Sequence, residues 1–261
     1  PYPQAGKRHR FAILVPPGST SLPLPHYPEE LYQVFTYEDL TEAIAALNEN
    51  DFDGVVVLGE TTRIEPAFLE EINSVFDAGI QAIQLRHITE NRSTRKQYFQ
   101  ALNEEITQAL FGKGATRLGV SSALYGADMV LDLKWLKKNQ KSRKSNLERR
   151  LVRQGIFVEY LEKVKVYSSD IRTPRYKVRF SKALRTLPEA IFTAHWDYCN
   201  KILRWILPSR KTNLISIALI ATALLCYDWS LSLKWWILLY ILMFIICLAI
   251  PDYLVRQKTK K

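Results

Sequence analysis

From Asn213 to Leu254 the chain is almost free of charge, with Asp228, Lys234 and Asp252 the only ionised side chains. Apolar runs approaching 18 residues exceed what a buried core helix needs. They match a hydrocarbon layer about 30 Å thick, which takes about 20 helical residues to cross. Two spans are expected, Thr212 to Tyr227 and Trp235 to Leu254, joined by a short polar turn from Asp228 to Lys234. So short a connection makes them antiparallel neighbours. Trp229, Trp235, Trp236 and Tyr253 fall at the expected span ends, where amphipathic rings sit at headgroup level. Lys201, Arg204, Arg210 and Lys211 precede the first span, and Arg256, Lys258, Lys260 and Lys261 follow the second. Both basic flanks, and the polar region before them, are therefore expected on the cytoplasmic side. A buried core hairpin is the competing expectation, and run length argues against it.

The 48% hydrophobic content of the 261 residues averages this tail with a region that alternates charged and apolar segments as soluble domains do. Three cysteines, two of them inside the expected spans, do not make a disulfide framework and fit a reducing compartment.

Phe11–Val15 is a short apolar run stopped by Pro16-Pro17-Gly18, as for a buried strand entering a loop. Leu31–Phe35 is a second candidate strand, and Glu38–Leu47 has helical spacing in Leu40, Ile44 and Leu47. Gly54–Leu58 is continuous in β-branched residues, the signature of a parallel strand buried on both faces. Pro66 opens a helix with Phe68, Leu69, Ile72 and Phe76 on one face, Gly79 closes it, and Ala82–Leu85 returns as a strand. Strand, helix, strand in this order implies a right-handed crossover in an α/β sheet. Thr94–Phe111 reads as an amphipathic helix, Gly112–Gly126 as a Gly/Ser-rich loop, Leu147–Arg153 as a helix, and Phe157–Tyr160 and Val164–Tyr167 as two short strands. Leu187–Leu207 mixes Trp, Ile and Phe with Lys and Arg, a pattern suited to the membrane interface or to packing on the domain.

The order and spacing of Phe11–Pro16, Pro28–Phe35, Phe52–Glu71, Leu118–Gly126 and Leu151–Tyr167 around Gly155 resemble membrane-bound family 2 glycosyltransferases, the cellulose, hyaluronan and poly-N-acetylglucosamine synthases. The resemblance covers most of residues 10–211 and rests on the order of segments, none specific alone. It implies a shortened GT-A-like, nucleotide-diphospho-sugar transferase domain over residues 10–185. An interfacial amphipathic helix over 187–211 and a transmembrane hairpin over 212–255 complete the expected chain. In that family an Asp-x-Asp after the central strand holds a divalent cation on the diphosphate. An acid in a Thr-Glu-Asp motif deprotonates the acceptor hydroxyl, and a Gln-x-x-Arg-Trp helix binds diphosphate and acceptor. The leaving diphosphate calls for a hard cation with oxygen ligands, and the hydroxyl for a nearby carboxylate.

This chain departs at each of these places. The metal slot reads Gly59-Glu60-Thr61, with Glu60 at the middle position, whose side chain on an extended backbone points away from those of its neighbours. Counting back from Gly155, the base motif falls on Ser142-Arg143-Lys144. Arg143 and Lys144 replace two acids with cations that neither take a proton at neutral pH nor tolerate a metal. Phe180-Ser181-Lys182-Ala183-Leu184 stands where Gln-x-x-Arg-Trp is expected. Pro17-Gly18-Ser19-Thr20 lacks the usual Asn-Glu pair, and Phe35 to Gly54 is short for the base-binding Asp and its Lys-Gly segment. Gly126 is kept, but Asp128 takes a position where a second Gly is expected.

Together these losses point to a catalytically degenerate glycosyltransferase that serves as partner or scaffold for a membrane or glycan-synthesis protein, with no cofactor. The alternative is an active inverting transferase in which Glu60 and Glu65 act as substitute acids, with Mg²⁺ or Mn²⁺. Glu70 and Glu71 read as an exposed helix face. His9, His26, His87 and His195 show no ligand spacing and read as surface or packing residues. The net charge of +10 concentrates in Lys134–Arg153, which carries nine Lys and Arg by sequence; it suits a solvated face, anionic headgroups, an acidic partner or, as a further alternative, a sugar diphosphate held by lysines instead of metal. No nucleic-acid motif accompanies it, so no nucleic-acid partner is expected.

Overall fold

The computed structural model describes residues 2–3, 5–19, 26–60, 63–139, 147–169, 184–185, 187–188, 191–192, 196–206 and 210–250. The chain forms two compact units, Pro1–Tyr176 and Lys177–Lys261.

The first unit is a mixed α/β domain. Its seven strands are β1 (Phe11–Val15), β2 (Tyr32–Thr36), β3 (Gly54–Val57), β4 (Arg63–Ile64), β5 (Ala82–Thr89), β6 (Met129–Asp132) and β7 (Val158–Ser168). Their spatial order is β2-β1-β3-β6-β5-β7-β4. Strands β1, β2 and β3 are mutually parallel, as are β5 and β7, while β6 runs antiparallel between β3 and β5 and β4 antiparallel to β7. The run Val55–Val57 is indeed buried on both faces, but it is parallel to β1 on one side only and antiparallel to β6 on the other.

Period-two alternation divides the core between the two faces of the sheet. On one, Phe11, Ile13, Val56, Ile83 and Val130 pack under Phe68, Leu69, Ile72 and Val75 of α2 (Phe68–Asp77). On the other, Ala12, Leu14, Val55, Val57 and Leu131 meet Ile44 of α1 (Leu40–Ala46). Leu133 and Leu136 of α5 (Leu133–Asn139) and Leu151 of α6 (Leu147–Arg153) cover the same face. Removing a fully buried branched side chain such as Ile13 would cost about 2–5 kcal/mol.

Helix α3 (Arg95–Gln108) starts where its sequence says: Thr94 accepts from the Gln97 N–H at 3.2 Å, and Gln97 accepts from the Thr94 N–H at 3.0 Å, a reciprocal cap. Beyond it the expected Gly/Ser loop is partly helical, a π turn (Ala109–Lys113) running into the short α4 (Gly114–Arg117). Gly112 permits this course, because a Cβ there would lie 2.7 Å from Cδ2 of the buried Tyr160 ring. The two short strands expected near Gly155 are one, β7, whose pairing with β5 jumps from Leu85↔Leu161 to Arg86↔Lys165. That irregularity puts Glu162 at a break in the ladder, where it pairs with Lys113 at 2.5 Å and lies 3.7 Å from Arg86.

The N-terminal segment is fastened at the amino end of β1. Asp77, at the end of α2, accepts from the Gly6 N–H at 2.8 Å and the Lys7 N–H at 3.4 Å, and lies 3.2 Å from His9 Nε2. Those backbone donors, led by Gly6, hold its carboxyl below the usual range. Tyr27 donates to the His9 carbonyl at 2.8 Å, and burial pushes its phenol up to about 12.

In the second unit, α7 (Trp196–Ile206), α8 (Arg210–Leu224) and α9 (Trp229–Leu248) follow in sequence. Helix α9 begins six residues before the expected Trp235, so most of the expected polar turn is its first turns. Asp228 is the reason: its side chain accepts from the N–H groups of Ser230 at 2.8 Å and Leu231 at 3.3 Å, a cap that starts the helix at Trp229. Among the described residues α9 alone is long and apolar enough to cross a bilayer; the apolar part of α8, Thr212–Leu224, is shorter. The two helices pack together, with Ser232 Oγ donating to the Ala221 carbonyl at 2.7 Å between two fully buried small residues. Residues from Pro251 on lie outside the described residues.

Candidate functional site

In an open α/β sheet, ligands gather beyond the carboxyl ends of the strands where neighbouring connections leave in opposite directions. Here that place lies between β1 and β3. The chain leaving β1 goes to β2 on one side, and the chain leaving β3 goes toward β6, β5 and β7 on the other.

The crevice is defined by backbone bonds. Leu58 donates to the Leu14 carbonyl at 2.9 Å, extending the β1–β3 pairing, and Tyr37 donates to the Val15 carbonyl at 3.0 Å. The Tyr37 hydroxyl donates to the Leu58 carbonyl at 3.2 Å. Pro16 to Gly18 turn the chain away at the head of β1, with Gly18 at φ 88. At the head of β3 Gly59 is buried and Glu60 exposed.

The floor of the slot is a carboxylate that sequence reading treated only as a missing glycine. Asp128 is fully buried, has φ 54, and accepts the Gly59 N–H on Oδ1 at 3.0 Å. This is left-handed space that Asp tolerates better than most residues with a Cβ. Gln84, buried in β5, shapes the same loop: it donates to the carbonyls of Ala127 at 3.1 Å and Asp128 at 2.9 Å and accepts from the Tyr125 N–H at 3.0 Å. The sequence offers only an Asp two residues after Gly126; its partner, Gly59, lies 69 positions away and left no signal.

Glu65 is exposed just after β4, and Glu60 is exposed at the head of β3. Glu70 is exposed and Glu71 pairs with Lys163 at 3.1 Å, as befits a solvated helix face. Thr61, Arg143, Lys144, the Phe180–Ala183 segment and His195 lie outside the described residues. A divalent cation held at the β3 slot would want several oxygen ligands. The described part of the slot offers the single exposed carboxylate of Glu60, with Asp128 turned to the Gly59 amide, and this set does not fit. Among the described residues no three His, Cys, Asp or Glu side chains converge on a common point.

A second polar cluster lies between β5, β7 and α3. His87 Nδ1 lies 2.5 Å from Glu104 Oε1, Thr89 donates to Glu104 Oε2 at 2.6 Å, and Gln108 donates to Glu104 Oε1 at 3.3 Å. Gln108 also donates to the His87 carbonyl at 2.8 Å and accepts from the Tyr160 hydroxyl at 2.9 Å. Burial pushes that phenol well above its ordinary range. His87 is thus a packing residue, as expected, but one held by a buried carboxylate.

No protein-family model matches the chain, and no curated protein matches it. Among solved structures, a mannosyltransferase from Pyrobaculum calidifontis, PcManGT, determined with GDP-Man and Mn²⁺, aligns at 12% identity with a TM-score of 0.42, over 94% of this chain and 88% of that one.

Proposed function

We propose that this chain is a glycosyltransferase-like integral membrane protein of the family 2 type whose transfer chemistry has been lost, and that it serves as partner or scaffold in assembling a cell-surface polysaccharide or glycan. The observation that carries this reading is the slot at the head of β3. Where the resembled family needs paired aspartates facing a diphosphate, this chain has Gly59, its amide turned to Asp128, and an exposed Glu60. Strands, core and crevice are built by apolar residues that stabilise the fold irrespective of catalysis, so the scaffold outlasts the chemistry.

Membrane integration is part of the proposal. It draws on the 20 residues of α9 and on exposed Ile237, Tyr240, Met243 and Phe244, side chains that suit lipid better than water. In this reading the α/β domain faces the cytoplasmic side of the inner membrane, α7 is an interfacial helix and α8–α9 the inserted hairpin; the basic flanks in the sequence support it.

A thermal-shift titration of the purified protein with nucleoside diphosphate sugars, with and without Mg²⁺ or Mn²⁺, tests the loss of chemistry. A donor at about 100 times its dissociation constant adds about 2.7 kcal/mol of stability. No shift with any donor is expected; a metal-dependent shift overturns the reading. The second reading, an active transferase, draws on the exposure of Glu60 at the lip of the crevice. It predicts that Glu60→Gln abolishes sugar transfer while the fold persists.

A further inference from the structure

Strand β2 closes one end of the sheet, and among the described residues no strand pairs with its outer side. Along a strand the N–H and C=O groups of successive residues point to alternate sides. The Tyr37 N–H donates to the Val15 carbonyl at 3.0 Å, which sets the phase. Gln33 and Phe35 share that phase and face β1, so the backbone groups of Tyr32, Val34 and Thr36 turn outward. Side chains do not shield this row: Val34 is 46% exposed, and Gln33 and Thr36 are exposed too. Proteins blunt such an edge by shortness, charge, Pro or a bulge. The opposite edge follows this rule, since β4 is two residues long and Arg63 lies over the Tyr167 ring at 4.1 Å. Strand β2 does not. Tyr32–Thr36 holds no charge and no Pro, and all five residues pair with β1 without a bulge.

The surroundings of this edge select one sign of charge. From Phe11 to Thr62 there are nine Asp and Glu and no Lys or Arg, within a chain of net charge +10. Glu29 and Glu30 sit in the short helical turn (Glu29–Leu31) that leads into β2, while Glu38 follows the strand and Glu42 lies in the first turn of α1. All four are exposed. Acids thus stand at both ends of an uncharged strand. Self-pairing is disfavoured, because an antiparallel pair of β2 strands centred on Val34 brings Glu30 of one copy toward Glu38 of the other. An extended segment with uncharged β-branched residues at its centre and Lys or Arg at its ends is complementary.

We propose that the outer edge of β2 is a docking site for an extended basic segment of a partner protein, which adds to the sheet as a further strand. The outward backbone row supplies the hydrogen bonds, Val34 the central side-chain contact, and the four glutamates the preference for cations. The slot at the head of β3 plays no part, so the inference stands apart from whether the domain transfers sugar.

The probe is a fluorescent peptide of alternating Val and Thr with lysines at both ends, added to the full chain in neutral detergent and read by anisotropy. A peptide with glutamates at both ends is the comparison. The lysine-ended peptide is expected to bind, and the glutamate-ended one to bind about tenfold more weakly or less at low salt. Hydrogen exchange read by mass spectrometry is expected to slow over Tyr32–Thr36 when the lysine-ended peptide is present. Val34→Pro removes an outward N–H while leaving the bonds to β1, as an edge strand allows, and is expected to abolish binding. Because a Pro can also disturb folding, the double variant Glu29→Lys, Glu30→Lys, changed only at exposed positions, gives a second reading. It is expected to weaken the lysine-ended peptide by about tenfold and to strengthen the glutamate-ended one. Absence of binding, equal binding of both peptides, or binding that leaves exchange over Tyr32–Thr36 unchanged overturns the proposal. So does full binding by a folded Val34→Pro chain.

Discussion

Replacing Asp128 by alanine and, separately, by glycine divides two energies that the native residue combines. Its carboxylate accepts the buried Gly59 N–H at 3.0 Å, while its backbone sits at φ 54. Hydrogen bonds to charged groups contribute about 1.5–3 kcal/mol, and removing the acceptor also leaves the Gly59 amide without this bond in a buried place. Left-handed backbone costs a residue with a Cβ about 1–2 kcal/mol, least for Asp, Asn and Gly. Alanine loses the bond and keeps the strained backbone, for a net loss of about 2 kcal/mol or more. Glycine loses the same bond but relieves the strain, for a net loss of about 1 kcal/mol. In a domain of this size 1 kcal/mol moves Tm by about 2–4 °C, so alanine should lower it by about 4–8 °C and glycine by about half as much. Differential scanning fluorimetry of the purified chain reads both. A glycine variant no more stable than the alanine variant would refute the strain, and two variants as stable as wild type would refute the hydrogen bond.

Glu104→Gln places an amide N–H against Thr89 and Gln108, which both donate to the native carboxylate, and should destabilise the domain by about 3 kcal/mol, read as a drop in denaturation midpoint; an unchanged midpoint would mean the cluster contributes no net stability. Gly112→Ala drives a methyl into the Tyr160 ring and should cost about 1–3 kcal/mol, and a smaller side chain at Tyr160 should recover part of it in a double-mutant cycle. Asp77 has its carboxyl lowered in the folded state, so the stability it lends the N-terminal segment is fully present above its unfolded value of 3.8 and lost as pH falls through the lower folded value. Protease cleavage between Gly6 and Arg10 should therefore accelerate on acidification, and Asp77→Asn should cleave at the fast rate already at neutral pH and lose most of this dependence.

Read alone, the sequence determined the elements whose signals are local. Phe11–Val15 and Gly54–Val57 are strands because apolar β-branched runs end at Pro or Gly. Helix α3 begins at Thr94 because the capping pair lies within four residues, and α9 is apolar over a length that only a bilayer or a large core accommodates. What tertiary structure alone decided involves partners far apart in the chain. Antiparallel β6, never expected as a strand, is one because β3 and β5 leave a gap that Met129–Asp132 fills on both sides. The π turn at Gly112 exists because Tyr160, from another strand, occupies the space a side chain would need. The start of α9 moved because the reach of the Asp228 side chain to two amides outweighed the polarity of Ser230, Ser232 and Lys234. At the site, the run Gly59-Glu60-Thr61 after β3 could be seen in the sequence. That the Gly59 amide would turn to the buried carboxylate of Asp128, just before β6, could not, because a hydrogen bond between residues distant in sequence leaves no pattern in either segment.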